Sequence, residues 1–180
     1  MTSGPAPSDL IGAAILGGAC AAVVACAELW IRYGNPRPEW TRKLVHVAGG
    51  MCCRLFPFFV QSMWVVGILA LAMSGLFTLG AHAGFLKCLH SVERKSRGSE
   101  YYPIAIFLVF AFSAGDTWLY VASVLVLAVA DAGAALIGGE YGRIRYQVED
   151  SQKSLEGSLV FLVIAFLAIH LPLLLMTDLP

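Results

Sequence analysis

Charge is what this sequence has least of. Lys, Arg, Asp and Glu make up 13% of the 180 residues, while hydrophobic residues make up 58%; a soluble domain carries roughly 25% charged residues. Neutral polar residues do not replace the missing charge, which excludes a disordered chain and leaves lipid as the surrounding medium. Twelve basic residues balance twelve acidic ones and the isoelectric point is near 6.9, so no nucleic-acid partner is expected. The five cysteines (Cys20, Cys26, Cys52, Cys53, Cys88) form no CxxC pair. All lie in or beside apolar runs, where a thiol packs as a small hydrophobe, and neither a disulfide framework nor a zinc site is expected. There is no P-loop, kinase catalytic loop or dinucleotide fingerprint, which excludes the soluble kinase folds. The chain shows no internal repeat and no low-complexity stretch beyond the Gly/Pro/Ser-containing residues 2–8.

What is present is a succession of apolar runs. A spanning helix needs roughly 20 apolar residues, and six stretches meet or approach that length: 10–33, 44–60, 63–86, 101–113, 117–139 and 155–176. They predict an all-α, polytopic integral membrane protein of about six transmembrane helices, with residues 1–9 as a tail and 10–180 as one transmembrane domain. No Lys or Arg precedes the first stretch, so it lacks the basic segment of a signal peptide and is expected to stay in place. The second stretch is short. The fourth is shorter still, and either continues past Gly115 and Asp116 or forms a re-entrant segment; Pro103 suits the first turn of its helix. Eleven of the twelve basic residues fall within 32–43, 87–97 and 143–153, and Arg54 is the exception. Basic and uncharged loops thus alternate as the positive-inside rule requires, placing the three basic loops in the cytoplasm and both termini outside.

Ionisable residues inside apolar stretches are costly, at least ~2.5 kcal/mol at the bilayer centre, and so are functional candidates. Arg54, toward the outer end of the second stretch, has a stem long enough to snorkel. Glu28 lies one turn from Arg32, so a local ion pair accounts for it as well as a function does. His82 and His90 flank Lys87 and Cys88 without metal-ligand spacing, and interfacial packing is the expected role of both. Asp131 stands apart. It lies in the run 130–139, shares a helical face with Ala134, Ala135 and Gly138, and is surrounded by small residues that admit a helix or a ligand. Two readings stand: a carboxylate for a divalent cation, or one that hydrogen-bonds a neighbouring helix.

The following loop favours the first reading. Lys153 is a mobile point charge suited to phosphate. Ser154 is a candidate N-cap for the last helix, whose positive end favours an anion. Glu156, in the first turn, suits that dipole or a metal, and Gly157 leaves room for a phosphate to approach the backbone. Near the other end of the chain, Arg42, Lys43 and His46 share a helical face at the mouth of the second stretch. Positive-inside anchoring explains them when taken alone, yet the topology puts them on the same side as Lys153 and Glu156.

Three segments together resemble the membrane lipid-alcohol kinases, the family of dolichol kinase, phytol kinase and CTP-dependent diacylglycerol kinase. Arg42-Lys43-Leu44-Val45-His46 is similar to the family's Arg-Lys-x-x-His signature. Residues 94–103, ending in Tyr101-Tyr102-Pro103, resemble its middle loop and Tyr/Phe-Pro helix start. Asp131 to Gly138, Tyr141-Gly142 and Lys153-Ser154-Leu155-Glu156-Gly157-Ser158 resemble its Asp-x-x-Ala…Gly…Phe/Tyr-Gly…Lys-Ser/Thr-x-Glu-Gly-Ser/Thr block. That block also resembles the CTP:phosphatidate cytidylyltransferases. Two differences stand out: Ala130 where a Gly often precedes the aspartate, and a single helix after the block where family members commonly have more. The resemblance implies transfer of the terminal phosphate of CTP to a lipid alcohol at the cytoplasmic face, with Mg2+. Asp131 and Glu156 would then hold the metal, directly or through water. Lys153 would hold phosphate oxygens, Arg42 and Lys43 would neutralise the triphosphate, and His46 would orient the acceptor hydroxyl or bind phosphate. Gly138, Gly142, Gly157 and Ser158 would complete the nucleotide site, and a groove beside Ala134, Ala135 and Gly138 would admit the lipid tail. The alternatives are a cytidylyltransferase making a CDP-lipid, or a non-catalytic membrane protein or transporter. A transporter would carry polar residues through to both faces, whereas here they cluster on one.

Overall fold

The computed structural model describes residues 6–90, 98–148 and 151–176. In chain order these form α1 (Pro7–Gly34), α2 (Pro38–Cys53), α3 (Phe56–Phe59), α4 (Met63–Ala83), α5 (Lys87–His90), α6 (Gly98–Phe112), α7 (Thr117–Leu125), a π-helical segment (Val126–Ala130), α8 (Asp131–Tyr141), β1 (Arg145–Val148), β2 (Ser151–Ser154) and α9 (Leu155–Met176). The chain is all-α apart from one antiparallel ribbon. Among the described residues three helices are long and apolar enough to cross a membrane: Pro7–Gly34, Met63–Ala83 and the continuous Thr117–Tyr141. The apolar helices Gly98–Phe112 and Leu155–Leu171 are shorter. Packing follows the pattern of a protein in lipid, with small residues inside and large apolar ones outside. Ala27, Ala128 and Ala130 are fully buried, whereas Ile11, Leu162 and Phe166 are more than half exposed.

The residues fall into two compact units, Met1–Val121 and Ala122–Pro180. In the first, α1, α2, α4 and α5 enclose a core of Val24, Ala27, Val45, Phe77, Leu86, Cys88 and Leu89. Glu28 is held there as a structural group. One carboxylate oxygen accepts from Arg32 Nε at 3.2 Å, and the other accepts the buried Cys88 N–H at 3.0 Å. The ion pair expected for it is therefore present, together with a tie to α5 that lies 60 residues away. Asp9 does the same at the start of α1, accepting the N–H of Gln61 at 2.9 Å.

Two of the expected spans differ. Stretch 44–60 is not one helix. α2 begins earlier, with Pro38 in its first turn, and ends at Cys53; Arg54 and Leu55 turn the chain into the four-residue α3. Pro57 in α3 offers no N–H to continue the α2 ladder, and the Cys53 carbonyl released by the break accepts from Tyr120 Oη at 2.8 Å. The fourth stretch, expected over 101–113, ends at Phe112, and of its two alternatives the continuation past Gly115 is not taken. Ala114 and Gly115 take positive φ of 49° and 90°, and Asp116 caps the next helix by accepting the Leu119 N–H at 3.0 Å. At 15 residues, α6 is about 22 Å long, shorter than the ~30 Å hydrocarbon core.

In the second unit the π-helical turn immediately precedes Asp131; such bulges recur at functional sites. α8 and α9 then pack closely. A Cβ on Gly157 would lie 2.8 Å from the Ala134 carbonyl oxygen and 3.1 Å from Gly138 Cα, and one on Gly133 would meet Ile164. The glycines are what allow the two backbones to meet.

Candidate functional site

The ribbon linking α8 to α9 organises the site in the second unit. β1 and β2 pair Arg145 with Ser154, Tyr146 with Lys153, Gln147 with Gln152 and Val148 with Ser151. An isolated two-stranded ribbon is marginal in water, so what fastens it matters. Leu155 N–H donates to the Ile144 carbonyl at 2.9 Å. Glu156 Oε1 accepts both the Arg143 and Ile144 N–H groups, at 3.0 and 3.2 Å. Tyr146 Oη lies 2.6 Å from Ser158 Oγ, and Ser158 donates onward to the Ser154 carbonyl at 3.1 Å.

Ser154 is the N-cap of α9, as expected from the sequence: its Oγ accepts the Gly157 N–H at 3.1 Å and donates to the Gly138 carbonyl at 3.2 Å. One hydroxyl thus closes the start of α9 and the end of α8. Gly142 sits in the same corner, where a Cβ would strike the Gly138 carbonyl and lie 2.6 Å from Ser154 Oγ. Gly138, Gly142 and Gly157 are therefore spent on bringing α8, the ribbon and α9 together. The Gly157 and Leu155 N–H groups already have acceptors, so the α9 N-terminus offers an anion less than its free N–H count suggested. Beside Ala134 and Gly138, where a groove is expected, α9 approaches through Gly157.

Lys153, Glu156 and Asp131 are the charged residues of this unit expected at the site. Lys153 is exposed on β2, and cross-strand pairing puts it on the same ribbon face as Tyr146. No hydrogen bond or ion pair engages its ammonium among the described residues. Glu156 Oε2 is buried and has no hydrogen-bond partner among the described residues. A buried carboxylate oxygen left in that state calls for a cation or a proton. Among the described residues no three His, Cys, Asp or Glu side chains cluster closely enough to hold a metal by themselves, but Mg2+ bound through one or two carboxylates plus phosphate needs no such cluster. Glu156 offers such an ion one carboxylate oxygen. Asp131 is half-buried on α8. Gly138 is level with Gly157, so Asp131, seven residues earlier, lies about 10 Å deeper along the helix than Glu156.

The first unit carries the other predicted residues. Arg42 forms a two-pronged ion pair with Glu39, Nε to Oε2 at 3.1 Å. Lys43 is 6% exposed in α2. The His46 ring packs against the Tyr102 ring, centroids 4.0 Å apart, and the Tyr102 hydroxyl donates to the His46 carbonyl at 3.2 Å. The Arg42-Lys43-x-x-His46 segment and the Tyr102-Pro103 helix start, 56 residues apart, are therefore joined at His46. Of the middle loop, residues 94–97 lie outside the described residues. Tyr102 stood in the sequence only as part of the Tyr/Phe-Pro helix start, with no role of its own, and Tyr146 carried no signal.

No family model matches the chain, and no solved structure matches it. A phytol kinase of Synechocystis sp. is 36% identical over 148 residues, which cover 81% of this chain and 64% of that relative. The chain thus spans somewhat less than two thirds of the relative's length. Taken with the three motif segments and the apolar helices that carry them, this similarity supports the resemblance to the membrane lipid-alcohol kinases.

Proposed function

We propose that this protein transfers the terminal phosphate of CTP to the hydroxyl of a lipid alcohol, phytol being the first candidate, at the cytoplasmic face of the membrane. The observation that carries the reading is the similarity to a phytol kinase. The fastening of Lys153 and Glu156 to one small-residue corner supports it. Phosphoryl transfer requires positioning and charge stabilisation more than covalent chemistry. Lys153, exposed and without a partner among the described residues, meets the phosphate oxygens of CTP. Glu156 and Asp131 are the carboxylates that would hold Mg2+, directly or through water. When bound, Mg2+ offsets the charge that builds on the transferring phosphate. Gly138, Gly142, Gly157 and Ser158 serve the nucleotide by fixing where Lys153 and Glu156 stand. Arg42 and Lys43 contribute positive charge toward the triphosphate, and His46, steadied by Tyr102, orients the acceptor hydroxyl or binds phosphate.

The test is lipid phosphorylation by purified protein with phytol, Mg2+ and γ-labelled CTP, in wild type, Asp131→Asn and Lys153→Ala. Removing the lysine charge or the carboxylate charge is expected to lower the rate at least about a hundredfold, the scale of losing one preorganised electrostatic group. Full activity in both variants refutes this placement of the site.

A further inference from the structure

Arg54 is the one basic residue outside the three basic segments, so anchoring by basic loops does not account for it. It stands at the break between α2 and α3, with Cys52 and Cys53 before it and Leu55-Phe56-Pro57-Phe58-Phe59-Val60 after it. The break is fixed, not frayed. Arg54 N–H donates to the Gly50 carbonyl at 2.9 Å and Leu55 N–H to the Cys52 carbonyl at 3.1 Å. The Cys53 carbonyl is taken by Tyr120 Oη at 2.8 Å, and Tyr120 is itself held edge-on by Phe110 at 5.4 Å between centroids. Irregular backbone at membrane depth persists only where its polar groups are satisfied in this way.

The guanidinium is treated differently from the backbone around it. Among the described residues no carboxylate, carbonyl or hydroxyl engages it. Beside it lies an open cavity of about 310 Å³ lined by Arg54, Leu55, Phe58 and Val121. An arginine that merely snorkels needs neither a fixed turn nor a cavity. Guanidinium presents a planar fork of donors that matches phosphate oxygens, and an unpaired ionisable group among apolar spans marks a binding site by default. Apart from Arg54, the lining residues are apolar, which suits an acyl chain and not a free ion.

We propose that Arg54 and this cavity form a binding site for an anionic phospholipid, one whose headgroup phosphate has no compensating cation, with its acyl chain against Leu55, Phe58 and Val121. Its residues are not among those assigned to phosphate transfer, and the proposal does not depend on that assignment. Delipidated protein in maltoside detergent, titrated with lipid and read by native mass spectrometry, tests it. Wild type should bind dioleoyl phosphatidylglycerol at least about tenfold more tightly than dioleoyl phosphatidylcholine. Arg54→Gln should lose that preference, the scale expected for a lost charge-assisted hydrogen bond, and Arg54→Lys should keep part of it. Equal binding of the two lipids by wild type, an unchanged preference in Arg54→Gln, or displacement of phosphatidylglycerol by equimolar inorganic phosphate would overturn the proposal. A wild-type measurement stands independently of how the variants fold. Phosphatidylglycerol carrying a photoreactive acyl chain should label the segment containing Leu55 and Phe58, or Val121, and labelling confined to other segments would also overturn it.

Discussion

Replacing Gly157 by alanine is the most informative single change, because the sign of its effect depends on the packing described here. A methyl group at that position would lie 2.8 Å from the Ala134 carbonyl oxygen, about 0.6 Å short of the 3.4 Å at which ordinary contact begins, and 3.1 Å from Gly138 Cα. Both neighbours are backbone atoms, so neither side chain rotation nor local repacking relieves the clash, and α9 must move away from α8. Overpacking of this kind costs about 1–3 kcal/mol, while the gain in helix propensity from Gly to Ala is at most about 1 kcal/mol. With the full propensity gain set against it, the net expectation is a loss of up to about 2 kcal/mol. Gly139 supplies the control: a Cβ there meets nothing within 4 Å, so Gly139→Ala should stabilise by up to about 1 kcal/mol. Thermal unfolding followed by circular dichroism in detergent should therefore move in opposite directions for the two variants, by a few degrees each. Glu156 and Lys153 ride on the displaced segment, and ångström-scale misplacement costs up to about a hundredfold in rate, so Gly157→Ala should also lower lipid phosphorylation by tenfold or more. Equal stabilisation by both alanines would show that α8 and α9 do not meet at these glycines.

Other expectations concern the ties around the site and the core. Tyr146→Phe and Ser158→Ala each remove the 2.6 Å contact that fastens the ribbon to α9; each should cost about 1 kcal/mol, and the double variant should cost little more than either alone in a denaturation cycle. Glu28→Ala leaves the buried Cys88 N–H without its acceptor and should destabilise by about 1–3 kcal/mol. Arg32→Ala, which removes only the 58%-exposed partner of that carboxylate, should cost at most about 1 kcal/mol in the same unfolding assay.

Hydropathy made most of the long helices legible. The stretches expected at 10–33, 63–86 and 117–139 appear as Pro7–Gly34, Met63–Ala83 and Thr117–Tyr141, because a run of apolar side chains is itself the reason each forms. Hydropathy does not register a break that leaves composition unchanged. The turn at Arg54 and Leu55 depends on Pro57 and on a carbonyl acceptor satisfied by Tyr120, 67 residues away. α2 begins before the apolar stretch, at Pro38, and so includes the Arg42, Lys43 and His46 face expected at its mouth. The ribbon escaped notice because its four-residue strands are exposed and show no buried alternation. At the site, Ser154 was readable as a cap from local sequence alone. Gly138 and Gly157 were readable as places of close approach, but their spacing does not say whether a phosphate or another helix approaches; here it is another helix. The meeting of His46 with Tyr102 is a tertiary fact that neither segment discloses.

Assay of wild-type protein with Mg2+, a panel of lipid alcohols and CTP labelled either at the γ- or at the α-phosphate tests the central claim most directly. The account predicts that γ-label enters one lipid alcohol as its phosphate ester, and that α-label enters no lipid. Entry of α-label into phosphatidate, with no transfer of γ-label, would contradict it and make the protein a cytidylyltransferase.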